Sequence, residues 1–193
     1  MSATRLSAQA RRRQILQVAT RLFARNGYPG TTTQAIASEA GITEPVIYRH
    51  FENKADLYLA VLAHALDDLL EQWQTIRAAE PPERWLPALS DDYRRALREG
   101  SWPASLQLDA LANARVGAVR TLTRDHYRRV QEFLAATIAE AQERGALPTR
   151  LDPELEAWRF VALGLLMSAD AVAGLLPAET ADRLADGLAQ VRS

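Results

Sequence analysis

Apolar residues recur along most of this chain at the spacing of helices that bury one face. Between residues 8 and 26, Ile15, Val18, Ala19, Leu22 and Phe23 follow one another in a pattern that aligns them on one side of an α-helix. Similar patterns, interrupted by glycine and proline, predict an all-α protein. The predicted helices cover about 8–26, 32–39, 44–51, 54–78, 83–99, 104–115, 118–144, 153–175 and 178–191.

Signals for helix ends are clearest in the first fifty residues. Asn26-Gly27 ends the first predicted helix, and Thr31, with a glutamine three positions later, has the pattern of a capping box for the second. Thr43 can cap the third helix, with Pro45 in its first turn, where proline costs little. Asn53 can cap the long helix that follows.

The second and third predicted helices form a helix-turn-helix pattern, with Ala40-Gly41-Ile42 as the turn. Gly41 suits such a turn because glycine adopts positive φ without steric cost. In this motif the second short helix lies in the major groove of DNA, with its N-terminal half towards the bases. A helix of about seven or eight residues is roughly 11 Å long, comparable with a groove about 12 Å wide.

Charge is distributed unevenly along the chain. The formal net charge is −1, which by itself argues against a nucleic-acid partner. Residues 1–54, however, carry eight basic and three acidic groups, a balance of +5, whereas the remainder carries 15 basic and 21 acidic groups, a balance of −6. Such asymmetry is expected when one part of a protein meets phosphate.

Composition excludes several classes of protein and site. The chain has no cysteine, which excludes disulfides, thiolate metal sites and cysteine nucleophiles. No stretch reaches the roughly 18 uncharged apolar residues of a membrane span, and the basic N-terminus lacks a signal-peptide core. Glycine-rich phosphate loops, zinc-type His/Glu pairs and nucleophile elbows do not occur in the sequence. We therefore expect a cytoplasmic protein that is not an enzyme, binds no membrane and uses no cofactor.

The residue pattern from Ile15 through Leu57 resembles the N-terminal domain of the TetR family of bacterial regulators. The matching positions are Ile15, Ala19, Phe23, Gly27-Tyr28, Thr31-Thr32, Ile36-Ala37, Ala40-Gly41-Ile42, Ile47-Tyr48, His50-Phe51, Lys54 and Leu57. The rest of the chain is similar to that family in length and helical character alone. The resemblance implies a helix-turn-helix DNA-binding domain at residues 1–54 and a helical effector-binding and dimerisation domain at residues 55–193.

The resemblance also implies which residues meet double-stranded DNA. Phosphate contacts are expected from the start of the second helix, the start of the long helix and the basic N-terminal cluster, and base or backbone contacts from the recognition helix. These residues are Arg11, Arg12, Arg13, Thr31, Thr32, Thr43, Glu44, Pro45, Val46, Tyr48, Arg49, His50 and Lys54.

Several of these positions have structural alternatives. Glu44 is acidic where the family often has a base-reading or basic residue; it can accept a hydrogen bond from cytosine N4 or can favour the helix start through the helix dipole. Val46 can contact a thymine methyl. Tyr48 can belong to the core, as Phe51 is expected to, and the arginine cluster can be a solvated face.

The resemblance implies an effector cavity among the helices between about residues 55 and 145. The candidate lining residues are Trp73, Trp102, Asp109 and His126, with ordinary core packing as the alternative for the tryptophans. His126 and His64 lack the spacing of metal ligands. The effector itself is a small molecule that the sequence does not identify.

The segment from 158 to 176 is apolar on nearly all sides and needs cover on more than one face. With the last predicted helix it can form half of a four-helix bundle between two subunits of a homodimer. The predicted interface residues are Trp158, Val161, Gly164, Leu165, Ser168, Val172, Leu184 and Leu188. The alternative is a central buried helix in a monomer.

These expectations describe a ligand-responsive transcriptional regulator. The resemblance implies a repressor that binds a pseudo-palindromic operator as a dimer and is released by an effector, with the long helix from Asn53 as the lever. An enzyme of helical fold and a helical adaptor that binds only proteins are the rival hypotheses. Salt-dependent DNA binding separates the adaptor from the regulator.

Overall fold

The computed structural model describes residues 7–100, 103–112, 117–177, 179–180 and 183–184, and within these ranges the chain is helical and contains no strand. The helices are α1 (Ala8–Gly30), α2 (Thr33–Glu39), α3 (Glu44–Tyr48), α4 (Lys54–Ala79), α5 (Trp85–Arg98), α6 (Ala104–Ala112), α7 (Gly117–Glu143) and α8 (Pro153–Ala173), with a short 3-10 helix at Pro82–Arg84 before α5. The all-α prediction is confirmed. Most of the helix predicted at 178–191 lies outside the described residues.

The first three helices and the start of α4 enclose one core, which we call the head core. The predicted apolar face of α1 is buried there against Ile36 of α2, Ile47 of α3 and Leu57 of α4. The regular part of α1 breaks at Gly27, whose φ is 69°, and one further turn continues to Gly30. The predicted stop at Asn26-Gly27 therefore coincides with the kink, although the helix as a whole ends three residues later.

Three details of the short helices differ from the prediction. The residue that caps α2 is Thr32, whose side chain accepts a hydrogen bond from the Ala35 N–H, and not Thr31. Thr43 precedes α3 as predicted, but its side chain makes no capping hydrogen bond. The α-helical part of α3 covers five residues, fewer than the predicted seven or eight, because the chain turns at Arg49 and His50 to enter α4. Asn53 caps α4 as predicted and accepts a hydrogen bond from Asp56 N–H.

The second core lies among α4, α5, α7 and α8. Trp73 of α4, Leu89 of α5, Leu134 and Ile138 of α7 and Phe160 of α8 are buried together. Arg77 ties α4 to α7, since its guanidinium donates to the Thr137 hydroxyl at 3.2 Å and pairs with the Glu140 carboxylate.

α6 connects the two cores. Leu106 of α6 is 1% exposed and belongs to the head core. On the same helix, the Ser105 hydroxyl donates to the Ala24 carbonyl of α1 at 2.7 Å, and Asp109 accepts from the Tyr58 hydroxyl at 2.7 Å. The head core therefore extends past residue 54 into α4 and takes a residue from α6. The division of the chain at residue 54 stays a prediction.

Candidate DNA-binding interface and ligand cavity

The helix-turn-helix is built by the packing of α2 and α3 around a glycine turn. Gly41, with φ of 65°, reverses the chain between the two helices, as the sequence predicted. Ile47 is fully buried beneath α3, and Phe51, just after it, is 2% exposed, which confirms Phe51 as a core residue. These anchors turn the opposite side of α3 towards solvent.

The exposed side of α3 carries most of the predicted base-contacting residues. Thr43, Pro45, Tyr48 and Arg49 are exposed, whereas Glu44, Val46 and His50 are partly buried. Tyr48 is 48% exposed, so its ring is not part of the core. The structure therefore places four of the predicted contacts at the surface of the helix-turn-helix.

Glu44 makes contacts within the protein. Its Oε1 accepts a hydrogen bond from the Thr33 hydroxyl of α2 and faces the Tyr48 hydroxyl at 3.4 Å. The hydroxyls of Thr33 and Tyr48 are themselves 3.1 Å apart. One carboxylate oxygen thus joins both helices of the motif. Thr33 is a member of this network that sequence reasoning missed, because its burial depends on the packing of α2 against α3.

Basic side chains flank α3 on two sides. Arg12, near the start of α1, stacks over the Phe51 ring with its guanidinium carbon 4.8 Å from the centroid, and Lys54 Nζ lies 4.3 Å from the centroid of Tyr28. Arg11 donates to Gln14 of its own helix, and Arg13 is exposed. Aromatic rings hold two of these cations at the surface without neutralising them, so the charge stays available to phosphate.

The structure corrects the role predicted for Thr31. This residue is completely buried, and its hydroxyl donates to the carbonyls of Leu22 and Gly27 in α1. The hydroxyl therefore closes the kinked end of α1 and does not face phosphate. Thr32 is exposed, and its hydroxyl caps α2.

Two small adjacent cavities lie among α4, α6, α7 and α8. The outer cavity, of about 70 Å³, is partly open and is lined by Leu62, Ala63, Ala65, Leu66, Pro103, Leu106, Gln107, Ala110, Leu122, Thr123, Asp125, His126, Tyr127 and Arg129. The inner cavity, of about 30 Å³, is lined by Leu69, Trp73, Tyr93, Gln107, His126, Tyr127, Val130, Phe160, Val161, Gly164 and Leu165. The two share Gln107, His126 and Tyr127, and most of their walls are apolar.

Two ionisable groups between the cavities are held neutral by their surroundings. Burial, assisted by the nearby charge of Arg129, lowers the pKa of His126 to about 4. Burial also raises the pKa of Tyr127, and the neighbouring Gln107 side chain offsets part of that rise. The imidazole and the phenol are therefore both uncharged at neutral pH.

The four predicted cavity residues have different locations. Trp73 lines the inner cavity and His126 lines both. Asp109 lines neither; its carboxylate binds Tyr58 at the junction between α4 and α6, which corrects the prediction. Trp102 lies outside the described residues. Gln107, which sequence reasoning missed, was signalled by its polar side chain between two leucines of α6.

α8 has two faces, and the predicted dimer residues divide between them. Trp158 and Val172 are about half exposed, as are Leu155 and Leu175, and together with exposed Ala162 they form an apolar surface that we call the α8 face. Leu184, beyond α8, is also exposed. Leu188 lies outside the described residues.

Val161 and Ser168, two more of the predicted dimer residues, are buried within their own chain, which corrects the prediction for these two. Gly164 and Leu165 are half-buried, and their place at an interface stays a prediction. Val161, Gly164 and Leu165 line the inner cavity, and a side-chain carbon on Gly164 would lie 3.6 Å from the Tyr93 ring. Ser168 is fully buried, 2.6 Å from the Tyr93 hydroxyl, and donates to Gln107 at 2.8 Å. Small residues on α8 admit α5 and α6 of the same chain.

Residues 15–61 match the family model described as bacterial regulatory proteins, tetR family. The HTH-type transcriptional activator FasR of Mycolicibacterium smegmatis (strain ATCC 700084 / mc(2)155) is 42% identical over 66 residues, which are 34% of this chain and 30% of FasR. Residues 15–61 are therefore similar to the N-terminal domain of the TetR family. The match covers less than a third of FasR and concerns the head of this chain alone.

Solved structures of TetR-family proteins share the whole fold. A TetR-family transcriptional regulator from Agrobacterium tumefaciens has a TM-score of 0.80 at 20% identity, over 95% of this chain and 98% of that one. AibR, solved with isovaleryl coenzyme A and operator DNA, has a TM-score of 0.66 at 25% identity, over 93% of this chain and 96% of AibR. The first similarity shows the fold alone. The relatives that match the head of this chain are named as transcriptional regulators, which are DNA-binding proteins and not enzymes.

Among the described residues, no helix has the length and apolar character needed to cross a membrane. No group of three or more histidine, aspartate or glutamate side chains in that part of the chain is arranged to hold a metal ion.

Proposed function

We propose that this chain is a ligand-responsive transcriptional regulator that binds a pseudo-palindromic operator as a homodimer and is released by a small-molecule effector, acting as a repressor. The observation that carries the proposal is the exposed row on α3, formed by Thr43, Pro45, Tyr48 and Arg49, on a rigid base of Ile47 and Phe51. A short helix presented in this way matches the geometry of major-groove recognition.

Electrostatics support duplex DNA as the partner. Arg12 and Lys54 project from beside α3 with aromatic rings beneath them, and Arg49 is exposed at its C-terminal end. Cations at these places can contact phosphate on both sides of the groove and fix the register of α3. The surplus of basic residues in the first 54 positions adds to the attraction.

The α8 face supports a dimer. It presents Leu155, Trp158 and Val172 on one side of a helix whose other side is already buried. A contiguous apolar surface of this kind is normally covered, and a two-fold axis lets the same surface cover itself in a second copy. A dimer would carry two heads to half-sites separated by whole turns of DNA, each about 34–36 Å.

The cavities support control by an effector. They touch α4, which also enters the head core, and α6, which contacts both cores. A ligand that binds better to the form with mis-spaced heads would lower the affinity for the operator by linkage. AibR was solved with both a ligand and operator DNA, and we propose the same two partner classes here.

The salt dependence of DNA binding tests the function. For a duplex selected from the source genome, log K should fall linearly with log salt, and Arg49→Ala with Lys54→Ala should reduce the slope by about 0.9 for each lost phosphate contact. The matched control is Arg120→Ala with Arg124→Ala, two exposed arginines on α7, which should leave the slope unchanged. A flat salt response of the unmodified protein would favour the protein-binding adaptor instead.

A further inference from the structure

Trp73 carries a buried polar group without a partner. The residue is 3% exposed, lines the inner cavity, and meets the rings of Tyr93 and Phe160 edge-on with centroids 6.4 and 6.1 Å away. Within the described ranges, its indole N–H has no hydrogen-bond acceptor. Most buried polar groups have a partner, and an unpaired donor costs free energy that an acceptor would restore.

A second unpaired group lies in the outer cavity. Thr123 is 8% exposed, and its hydroxyl has no hydrogen-bond partner in the part of the chain that is described. The other polar residues of this lining are Gln107, His126, the charged pair Asp125 and Arg129, and Tyr127, whose buried hydroxyl also has no partner among the described residues. The cavities thus combine apolar surface with a few polar groups, which is typical of small-molecule sites.

The charged residues of the outer cavity already have partners. Arg129 donates to Asp67 at 2.9 Å, and Asp125 lies 3.4 Å from Arg128. A ligand carrying a full charge would lose its hydration without gaining an unpaired counter-charge from these two residues. The lining therefore favours a neutral ligand over an ionic one.

The size of the cavities limits the ligand. Their volumes are about 70 and 30 Å³, and the outer one opens to solvent. For comparison, an engineered apolar cavity of about 150 Å³ holds one benzene molecule. A single small ring matches the available space, with part of it at the opening.

We propose that the two cavities together bind an uncharged, mainly apolar, single-ring molecule with one hydrogen-bond acceptor, to which the indole N–H of Trp73 donates. This inference rests on the proposed function in one respect only, namely that the bound molecule acts as the effector. The acceptor can be a ketone, an ester or a lactone carbonyl, which the site recognises in the same way.

The test uses two probes of the same shape, cyclohexanone and methylenecyclohexane, which differ by a carbonyl oxygen in place of a CH₂ group. Their affinities for the full chain are measured by calorimetry in wild type and Trp73→Phe, which keeps an aromatic ring and removes the donor. We expect the ketone-to-alkene affinity ratio to fall about tenfold in Trp73→Phe. The different hydration of the two probes cancels when the ratio in Trp73→Phe is divided by the ratio in wild type, because each probe is hydrated identically in the two experiments.

The matched control is Trp85→Phe. Trp85 is buried, its indole N–H donates to the Glu80 carbonyl at 2.9 Å, and it lines neither cavity. This variant should leave the ketone-to-alkene ratio unchanged. Thr123→Val and Tyr127→Phe each remove an unpaired hydroxyl from the cavity lining. Both variants should leave the ratio unchanged if Trp73 is the donor, and a drop in either of them instead of in Trp73→Phe would overturn the assignment to Trp73.

A second measurement does not depend on the folding of Trp73→Phe. In the ¹⁵N-labelled protein, the indole proton of Trp73 should move downfield on addition of cyclohexanone and not of methylenecyclohexane. The resonance is assigned by elimination with Trp85→Phe, Trp102→Phe and Trp158→Phe. Equal shifts with the two probes would overturn the proposed hydrogen bond.

Two further results would overturn the proposal. Cyclohexanecarboxylate should bind at least tenfold more weakly than cyclohexanone; equal binding would contradict a neutral ligand. Absence of binding by both neutral probes at millimolar concentration would contradict a single-ring site. All of these measurements use the protein without DNA, so their failure is distinguishable from failure of operator binding.

Discussion

Glu44 links α2 and α3 through hydrogen bonds to one of its carboxylate oxygens. Its Oε1 faces hydroxyls from α2 and from the end of α3, and it occupies the first turn of α3, where a negative charge also suits the helix dipole. These contacts favour a positioning role over base reading, since an oxygen that already accepts from Thr33 and Tyr48 has less capacity for a cytosine amino group.

Glu44→Ala should therefore affect the stability of the head. We expect the free energy of unfolding to fall by about 1–2 kcal/mol, because two hydroxyls lose a shared charged acceptor. Urea denaturation measures the change, and Glu52→Ala, which removes an exposed acid from the same region, should leave stability nearly unchanged. If Glu44→Gln changes the preferred base at one operator position without loss of stability, Glu44 reads a base after all.

His126 predicts a specific pH dependence of stability. Because burial lowers its folded pKa to about 4, the unfolded chain binds a proton first as the pH falls below about 6.5. The stability that the neutral, buried imidazole allows is fully present above that pH and is lost as the pH falls from about 6.5 to 4. At pH 5 the free energy of unfolding has fallen by about 2 kcal/mol for this reason. Comparison of urea midpoints at pH 7.5 and pH 5 should show a smaller loss in His126→Gln than in wild type.

The control for that experiment is His64→Gln. His64 lies on α4, with its Nδ1 3.3 Å from Asp68. Neither variant changes the other ionisable groups near His126, which are its chain neighbours Asp125 and Tyr127 and the charged Arg129. If His126→Gln and wild type lose stability equally between the two pH values, the imidazole is not held neutral by burial.

At the scale of elements, periodicity and punctuation predicted most helices to within a few residues. The long amphipathic helices α1, α4 and α7 were predictable because each buries one continuous stripe. α8 was harder, since an apolar helix without a polar side does not indicate which face meets the rest of its own chain. Gly164 and Ser168 were thus assigned to the dimer although they pack on Tyr93.

The candidate site was predictable to the extent that it depends on local sequence. Gly41, Asn53 and the exposed row on α3 follow from turn and capping chemistry within a few residues. The burial of Thr31, the Thr33–Glu44 contact and the pairing of Asp109 with Tyr58 depend on residues far apart or on packing between helices. Sequence spacing alone carries no information about such partners.

α6 provides a test at the scale of an element. Tyr58→Phe keeps the edge-on ring contacts with Phe23 and Tyr28 and removes the hydrogen bond to Asp109. We expect the unfolding free energy to fall by about 1 kcal/mol and the backbone amides of α6 to exchange faster with solvent. Tyr28→Phe, in the same aromatic cluster, is the control, and unchanged exchange in α6 would argue against the coupling.

At the scale of the whole molecule, the α8 face predicts the oligomeric state. Leu155→Glu with Trp158→Glu places two charges per subunit on the proposed interface, and we expect the dimer to weaken by more than about 100-fold. Sedimentation velocity measures the change, and operator affinity should fall with it. Ala136→Glu, at an exposed position of α7, is the control. A double variant that stays dimeric would move the interface elsewhere.

The presence of Leu106 in the head core constrains how this protein can be rebuilt. A graft that transfers residues 7–61 onto another protein would leave behind Leu106, which is buried in the same core as Ile15 and Phe23. The transplanted segment would expose an apolar patch to solvent and would lose the hydrogen bond from Ser105 to α1. Chimeric regulators built on this scaffold therefore have to carry α6 with the reading head, or redesign the surface on which it rests.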